Sequence, residues 1–182
     1  HDYPDLESKF YEIIQRFNQN PVRLTVLDGD TRKTKPIWIN GATVIAAIQQ
    51  EMMYPYLIQI APITITQIHA GNNSSLGKLY SNLDPGMNWA FYHIVICHDG
   101  NALFNPEQFH AELEKFPGLK SHFAGDEQET ICQLWGAGQA NPAENKPVQS
   151  DIPTLLLTGS DYDPATPPAF AKLAASTLPH HF

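Results

Sequence analysis

The sequence predicts an α/β protein, and three features near its C-terminus carry that reading. Residues 154–158 form an uninterrupted apolar run introduced by Ile152-Pro153, the pattern of a buried strand. Residues 159–168 are turn formers, Gly159-Ser160-Asp161-Tyr162-Asp163-Pro164-Ala165-Thr166-Pro167-Pro168. A helix then runs from Pro167 or Pro168 through Phe170, Leu173, Ala174 and Leu178, and Pro179 stops it. Strand, loop and helix make half of a βαβ unit, and such units belong to parallel sheets covered by helices on both faces. One strand makes no sheet, so the rest of the sheet is expected elsewhere.

The segments before it read mostly as helix. Leu6, Phe10, Ile13, Ile14 and Phe17 recur at helical spacing, with Asp2 or Asp5 as candidate caps. Past Pro21, Val22, Leu24 and Val26 alternate with polar residues as a half-buried strand does. Asp28-Gly29-Asp30 marks a turn, and Ile37-Trp38-Ile39 returns as a second strand. Asn40-Gly41 opens a helix through Val44, Ile45, Ile48 and Met52, closed by Pro55. Residues 56–69 fit either a strand at Thr64-Ile65-Thr66 or a helix stopped by Gly71. Residues 72–88, rich in Gly, Ser and Asn, read as loop. Residues 92–97 read as a short buried strand with a turn at His98-Asp99-Gly100. Helices follow over 105–116, with Asn105 as cap, and over 126–135, and residues 141–152 read as a polar linker.

Composition excludes several classes. The 182 residues are 42% hydrophobic with a formal charge of -8. An acidic chain without clustered Lys and Arg is a poor partner for nucleic acid. No apolar run reaches the roughly 18 residues that a membrane span needs. Because the chain starts at His1 rather than Met, it is expected to be processed or part of something longer. Its two cysteines, Cys97 and Cys132, are either buried thiols or one disulfide, and no metal-ligand spacing accompanies them. Eight histidines are present. His93, His98, His110 and His122 show no ligand spacing and read as surface or core residues.

In open α/β sheets, ligands bind beyond the carboxyl ends of the strands. The loop holding Asp161 and Asp163 sits at such an end, although Asp and Pro are also ordinary turn residues. The run from Ile152 to Pro179 resembles the penultimate-strand segment of α/β-hydrolases, in which an apolar strand is followed by G-x-x-D-x-x-T-P and a helix. The family aspartate normally stands directly before P-x-T-P, which makes Asp163 the implied triad acid and Asp161 accessory. The resemblance implies a Ser-Asp-His triad whose aspartate orients the histidine. No G-x-S-x-G nucleophile motif occurs in these residues. His180 and His181 come too soon after the helix to be the base.

The remaining segments resemble secreted α/β-hydrolases similar to tripeptidyl and prolyl aminopeptidases, strongly from residue 89 onward and weakly before it. The carriers are Ile94-Val95-Ile96-Cys97-His98-Asp99 and Cys132-Gln133-Leu134-Trp135. The resemblance implies a largely helical cap over residues 1–88 and an incomplete α/β-hydrolase core segment over 89–182. It implies a Cys97–Cys132 disulfide and a secreted or periplasmic location, cytoplasmic being the alternative. The implied parent is an exopeptidase acting on peptides, or on a related small acyl substrate, without metal or cofactor. The rest of the hydrolase core would be its structural partner. An aminopeptidase must hold its substrate's ammonium. Asp99, directly after the expected strand, and Glu51, on the expected cap helix, are the candidate carboxylates. Against these roles stand a turn-forming Asp99 and a solvated Glu51. The other functional readings are a non-catalytic hydrolase-like binding module and an esterase or lipase of the same fold.

Overall fold

The computed structural model describes residues 3–28, 31–81, 88–100, 104–123, 127–136, 138, 140–141, 143–144 and 146–182. The chain divides into two compact units. One comprises His1–Asn88 with Asn105–Glu129, and the other Trp89–Phe104 with Thr130–Phe182.

The first unit is built on α1 (Leu6–Gln19), whose apolar stripe buries Ile13, Ile14 and Phe17. Asp2 lies outside the described residues. Asp5 precedes the helix but makes no side-chain cap bond; its carboxylate pairs with Lys9 at 3.0 Å. Strands β1 (Val22–Leu27) and β2 (Thr34–Ile39) form an antiparallel ribbon in which Val22 faces Ile39 and Leu27 faces Thr34. Their connection includes Gly29 and Asp30, outside the described residues. Asp28 anchors it, accepting from the Thr31 amide and hydroxyl, both at 2.9 Å.

Helix α2 (Gly41–Met52) starts where Asn40 caps it, its side chain accepting from the Thr43 amide at 2.9 Å. Gly41 is required here. Its amide donates to Asn18 Oδ1 at 2.9 Å, and a Cβ would come within 2.7 Å of the Ile14 carbonyl oxygen. The missing side chain therefore lets α2 start against α1. Helices α3 (Pro55–Ile58) and α4 (Ala61–His69) settle the ambiguity over 56–69. Thr66 fits a helix because its hydroxyl bonds back to the Pro62 carbonyl at 2.8 Å. The Arg16 guanidinium closes the far end of α4 by donating to the carbonyls of Ile68 and His69 at 2.6 and 3.0 Å.

The loop expected over 72–88 holds a helix, α5 (Ser74–Ser81). Residues 82–87 lie outside the described residues. Composition hid this element because its tie to the core is Leu76, only 1% exposed, and Asn72 starts it by accepting from the Ser74 amide and hydroxyl. The core of this unit joins Ile13, Phe17, Val26, Ile39, Val44, Ile48, Ile65, Ile68 and Leu76. It also contains α7 (Pro106–Leu113), capped by Asn105 as expected, a 3₁₀ turn at Pro117–Leu119, and α8 (Lys120–Phe123).

The second unit departs further from expectation. The strand expected over 92–97 is helical: α6 (Trp89–Val95) runs into a π-helical turn, Ile96–Gly100. A short apolar run does not distinguish a buried strand from a helix. Here helical spacing brings the Trp89 ring against Tyr92 and His93, with centroids 5.7 and 6.2 Å apart. Cys97 in the π turn is disulfide-bonded to Cys132 on α9 (Glu127–Trp135). Asp126, where that helix was expected to start, lies outside the described residues. The strand expected over 154–158 does not form as a regular strand; what is present is an isolated parallel bridge between Thr154 and His181. Thr154 N–H donates to the His180 carbonyl at 2.8 Å, and Leu156 N–H to that of Phe182 at 3.0 Å. Helix α10 (Pro168–Ala175) connects the two paired stretches. The order of bridge, helix and parallel return is that of a βαβ unit, but neither paired stretch is a regular strand. A sheet covered on both faces is not found among the described residues.

This unit buries few apolar side chains. Leu155 and Leu157 are 68% and 85% exposed, while Cys97, Cys132, Ala140 and Leu178 are buried. The covalent link therefore bears much of the load. The two cysteines are 35 residues apart, and closing such a loop stabilises by about 4 kcal/mol in the chain-entropy model. Replacing both with alanine is expected to lower the denaturant midpoint of the second unit accordingly. An unchanged midpoint would show that the bridge is incidental.

Candidate functional site

The site is the loop between the stretch 154–158 and α10. It is closed by bonds that converge on Thr166. The Thr166 carbonyl accepts from the Gly159 amide at 2.9 Å and from the Thr158 hydroxyl at 3.0 Å. On its other side Thr166 donates to Asp163: its amide to Oδ1 and its hydroxyl to Oδ2, both at 3.0 Å. The Ala165 amide donates to Oδ1 at 2.8 Å. These bonds favour the ionised carboxylate, with the Thr166 and Ala165 amides leading, and hold Asp163 below the usual aspartate range. Gly159 is needed at the start of the loop, because a Cβ there would overlap Oδ2 of Asp163.

Asp161 differs. It is exposed and takes no part in these bonds, whereas Asp163 is partly covered. Ser160 lends its carbonyl to the Asp163 amide at 3.0 Å, and its hydroxyl is buried with no partner among the described residues. His181 uses Nδ1 to donate to the Leu178 carbonyl at 2.6 Å, which ties down the chain after α10. The roles of Gly159 and Thr166 were missed when the loop was read as sequence. The Asp163-Pro164-Ala165-Thr166-Pro167 run was visible, but nothing in it told which side chains bond the acid.

The two carboxylates expected to meet an ammonium lie in different surroundings. Asp99 is on the π-helical turn rather than at a strand end, and its Oδ1 is 2.6 Å from Nδ1 of His98. Glu51 is not a solvated helix residue. It follows Val44 and Ile48 on the inward face of α2 and is 3% exposed. The Thr64 hydroxyl donates to its Oε1 at 3.3 Å, and Oε2 is buried without a partner among the described residues. Burial pushes its pKa up, partly countered by Thr64. Glu51 belongs to the first unit, Asp99 and Asp163 to the second.

Among the other histidines, His93 packs between Tyr92 and Trp135, with centroids 5.3 and 6.1 Å away. His110 lies against the Phe109 ring, and burial lowers the pKa of His122. No group of three or more His, Cys, Asp or Glu that could hold a metal ion occurs among the described residues. Among them, too, no helix is long and apolar enough to cross a membrane.

The raised pKa of Glu51 has a consequence for stability. An acid that is harder to ionise folded than unfolded contributes fully below its unfolded pKa, about 4.3, and loses that contribution as pH rises through the folded value. Glu51→Gln should therefore match the native chain in unfolding free energy near pH 4 and exceed it at pH 8. Denaturant titrations at the two pH values check this. A glutamine variant that is less stable at pH 8 would mean that the ionised form has an internal partner.

No curated protein and no solved structure matches the chain. Residues 120–181, the stretch that contains the whole acid loop and α10, match the α/β-hydrolase family described as TAP-like protein.

Proposed function

We propose that this chain forms the cap and the acid-bearing part of a serine hydrolase, an exopeptidase that cleaves at the free N-terminus of peptides. One observation carries the reading. Asp163 lies in the loop following a stretch with a parallel neighbour, its carboxylate held ionised by three donors. That state suits the acid of a triad, which keeps the histidine in the right tautomer and stabilises its charged form. The serine and the histidine come from residues outside these 182, in which no G-x-S-x-G occurs. Catalysis then proceeds through an acyl-enzyme on serine, without metal or cofactor. The rest of the hydrolase core is the structural partner of the second unit, whose exposed Leu155 and Leu157 suit a sheet neighbour. The disulfide favours an oxidising location, secreted or periplasmic.

The test is made in the intact hydrolase. Asp163→Asn should lower kcat by roughly 10⁴, the loss expected when the histidine tautomer is wrong. Asp161→Asn should do far less, and the 182-residue chain alone should be inert toward aminoacyl and tripeptidyl anilides. Reversed effects of the two substitutions would reassign the acid. Turnover by the chain alone, blocked by a serine-reactive phosphonate, would overturn the proposal.

Recognition of the ammonium is assigned to Glu51 or Asp99. Asp99 has the stronger case, since it is exposed beside His98 in the unit that carries Asp163, whereas Glu51 is buried in the other unit. Removing the charge of the residue responsible should raise KM for free-amine peptides and spare N-acylated esters. Equal losses on both substrate types would mean that the residue supports the fold rather than the ligand.

A further inference from the structure

An ionised carboxylate accepts hydrogen bonds at about four lone-pair sites, two on each oxygen. The loop occupies three of those of Asp163. Oδ1 takes both of its bonds from backbone, the amides of Ala165 and Thr166, and Oδ2 takes one from the Thr166 hydroxyl. The remaining site, on Oδ2, takes no donor among the described residues. We propose that Thr166 is a positioning residue for the acid: it turns the Asp163 carboxylate so that Oδ2 alone offers an open acceptor site, and that oxygen receives the imidazole N–H. The inference rests on the reading of Asp163 as the triad acid.

Three observations make Thr166 the residue that sets this orientation. It supplies two of the three donors, one to each oxygen, so rotation of the carboxylate breaks both bonds together. It is itself anchored, because its carbonyl is fixed by the Gly159 amide and the Thr158 hydroxyl. Its β-branched side chain has few χ1 options, so the hydroxyl is held where it is. Gly159 supports the same orientation from the opposite side, since the space that a Cβ would fill is taken by Oδ2.

Thr166→Val keeps the shape and removes the donor, whereas Thr166→Ser keeps the donor. Hydrogen bonds to the charged form lower a carboxyl pKa. In the 182-residue chain with ¹³C-labelled aspartate, the Asp163 carboxyl of the valine variant should therefore titrate at higher pH than that of the native chain, and the serine variant close to it. Thr166→Ala supplies the same measurement if valine disturbs the loop. In the intact hydrolase, losing a donor to a charged group should reduce kcat roughly tenfold. KM should hold, the acid limb of the kcat profile should move upward, and serine should restore both. Valine and serine variants that titrate alike, or a valine variant with native kcat and native acid limb, overturn the inference. The reading beneath it fails separately: Asp163→Asn with kcat intact removes the triad role and the assignment of Oδ2 to the imidazole, while a valine–serine difference in titration would still establish that Thr166 orients the carboxylate.

Discussion

The acid loop depends on one arrangement, the Asp163 carboxylate folded back over Gly159 and held by Thr166. Each partner constrains the next. The carboxylate needs the open space at Gly159, and the Gly159 amide is bonded to the Thr166 carbonyl. Thr166 precedes Pro167, whose fixed φ leads into α10. The end of the bridged stretch, the acid and the start of the helix are therefore set by a single closed ring of interactions. Turn residues alone would form a loop here. They would not by themselves leave the acid with both oxygens bonded.

The two units rely on different sources of order. The first has a continuous apolar core to which α1, β1, β2, α2, α4 and α5 all contribute. Apolar burial at roughly 25 cal/mol per Å² is the dominant favourable term in such a unit. The second exposes Leu155, Leu157, Phe170 and Leu173, and what order it has comes from the disulfide, the parallel bridge and the closed loop. A Leu-Leu-Leu run without a charge is composed for burial on both faces. Isolated edge strands ordinarily carry charge or proline to discourage pairing.

Legibility in the sequence followed the length and regularity of each pattern. Helix α1 was visible because five apolar residues recur at helical spacing, and α2 because Asn40-Gly41 opens it and Pro55 follows it. The β1–β2 ribbon showed through alternation and the Asp28 turn. The 92–97 segment was misread because six apolar or aromatic residues carry no usable period. Trp89, Tyr92, His93 and the Cys97 link make it helical, and these contacts appear only on folding. Helix α5 was hidden in a polar stretch anchored by Leu76. The loop around Asp163 was visible in the sequence, but the burial of Glu51 was not. A glutamate following Val44 and Ile48 at helical spacing reads equally well as the margin of an apolar face.

The two candidate carboxylates illustrate how surroundings assign charge. Asp163 and Glu51 carry the same group, yet their pKa values are pushed in opposite directions, Asp163 down by donors and Glu51 up by burial. Such divergence separates roles among acids in many active sites. An ionised Asp163 can accept an imidazole N–H and balance the charge that the histidine gains. Burial disfavours the ionised form of Glu51, the form that could attract an ammonium by charge. An arriving ammonium would favour its ionised form, because an opposite charge within a few ångströms lowers a carboxyl pKa. Asp99, exposed and beside His98, has no comparable desolvation to overcome.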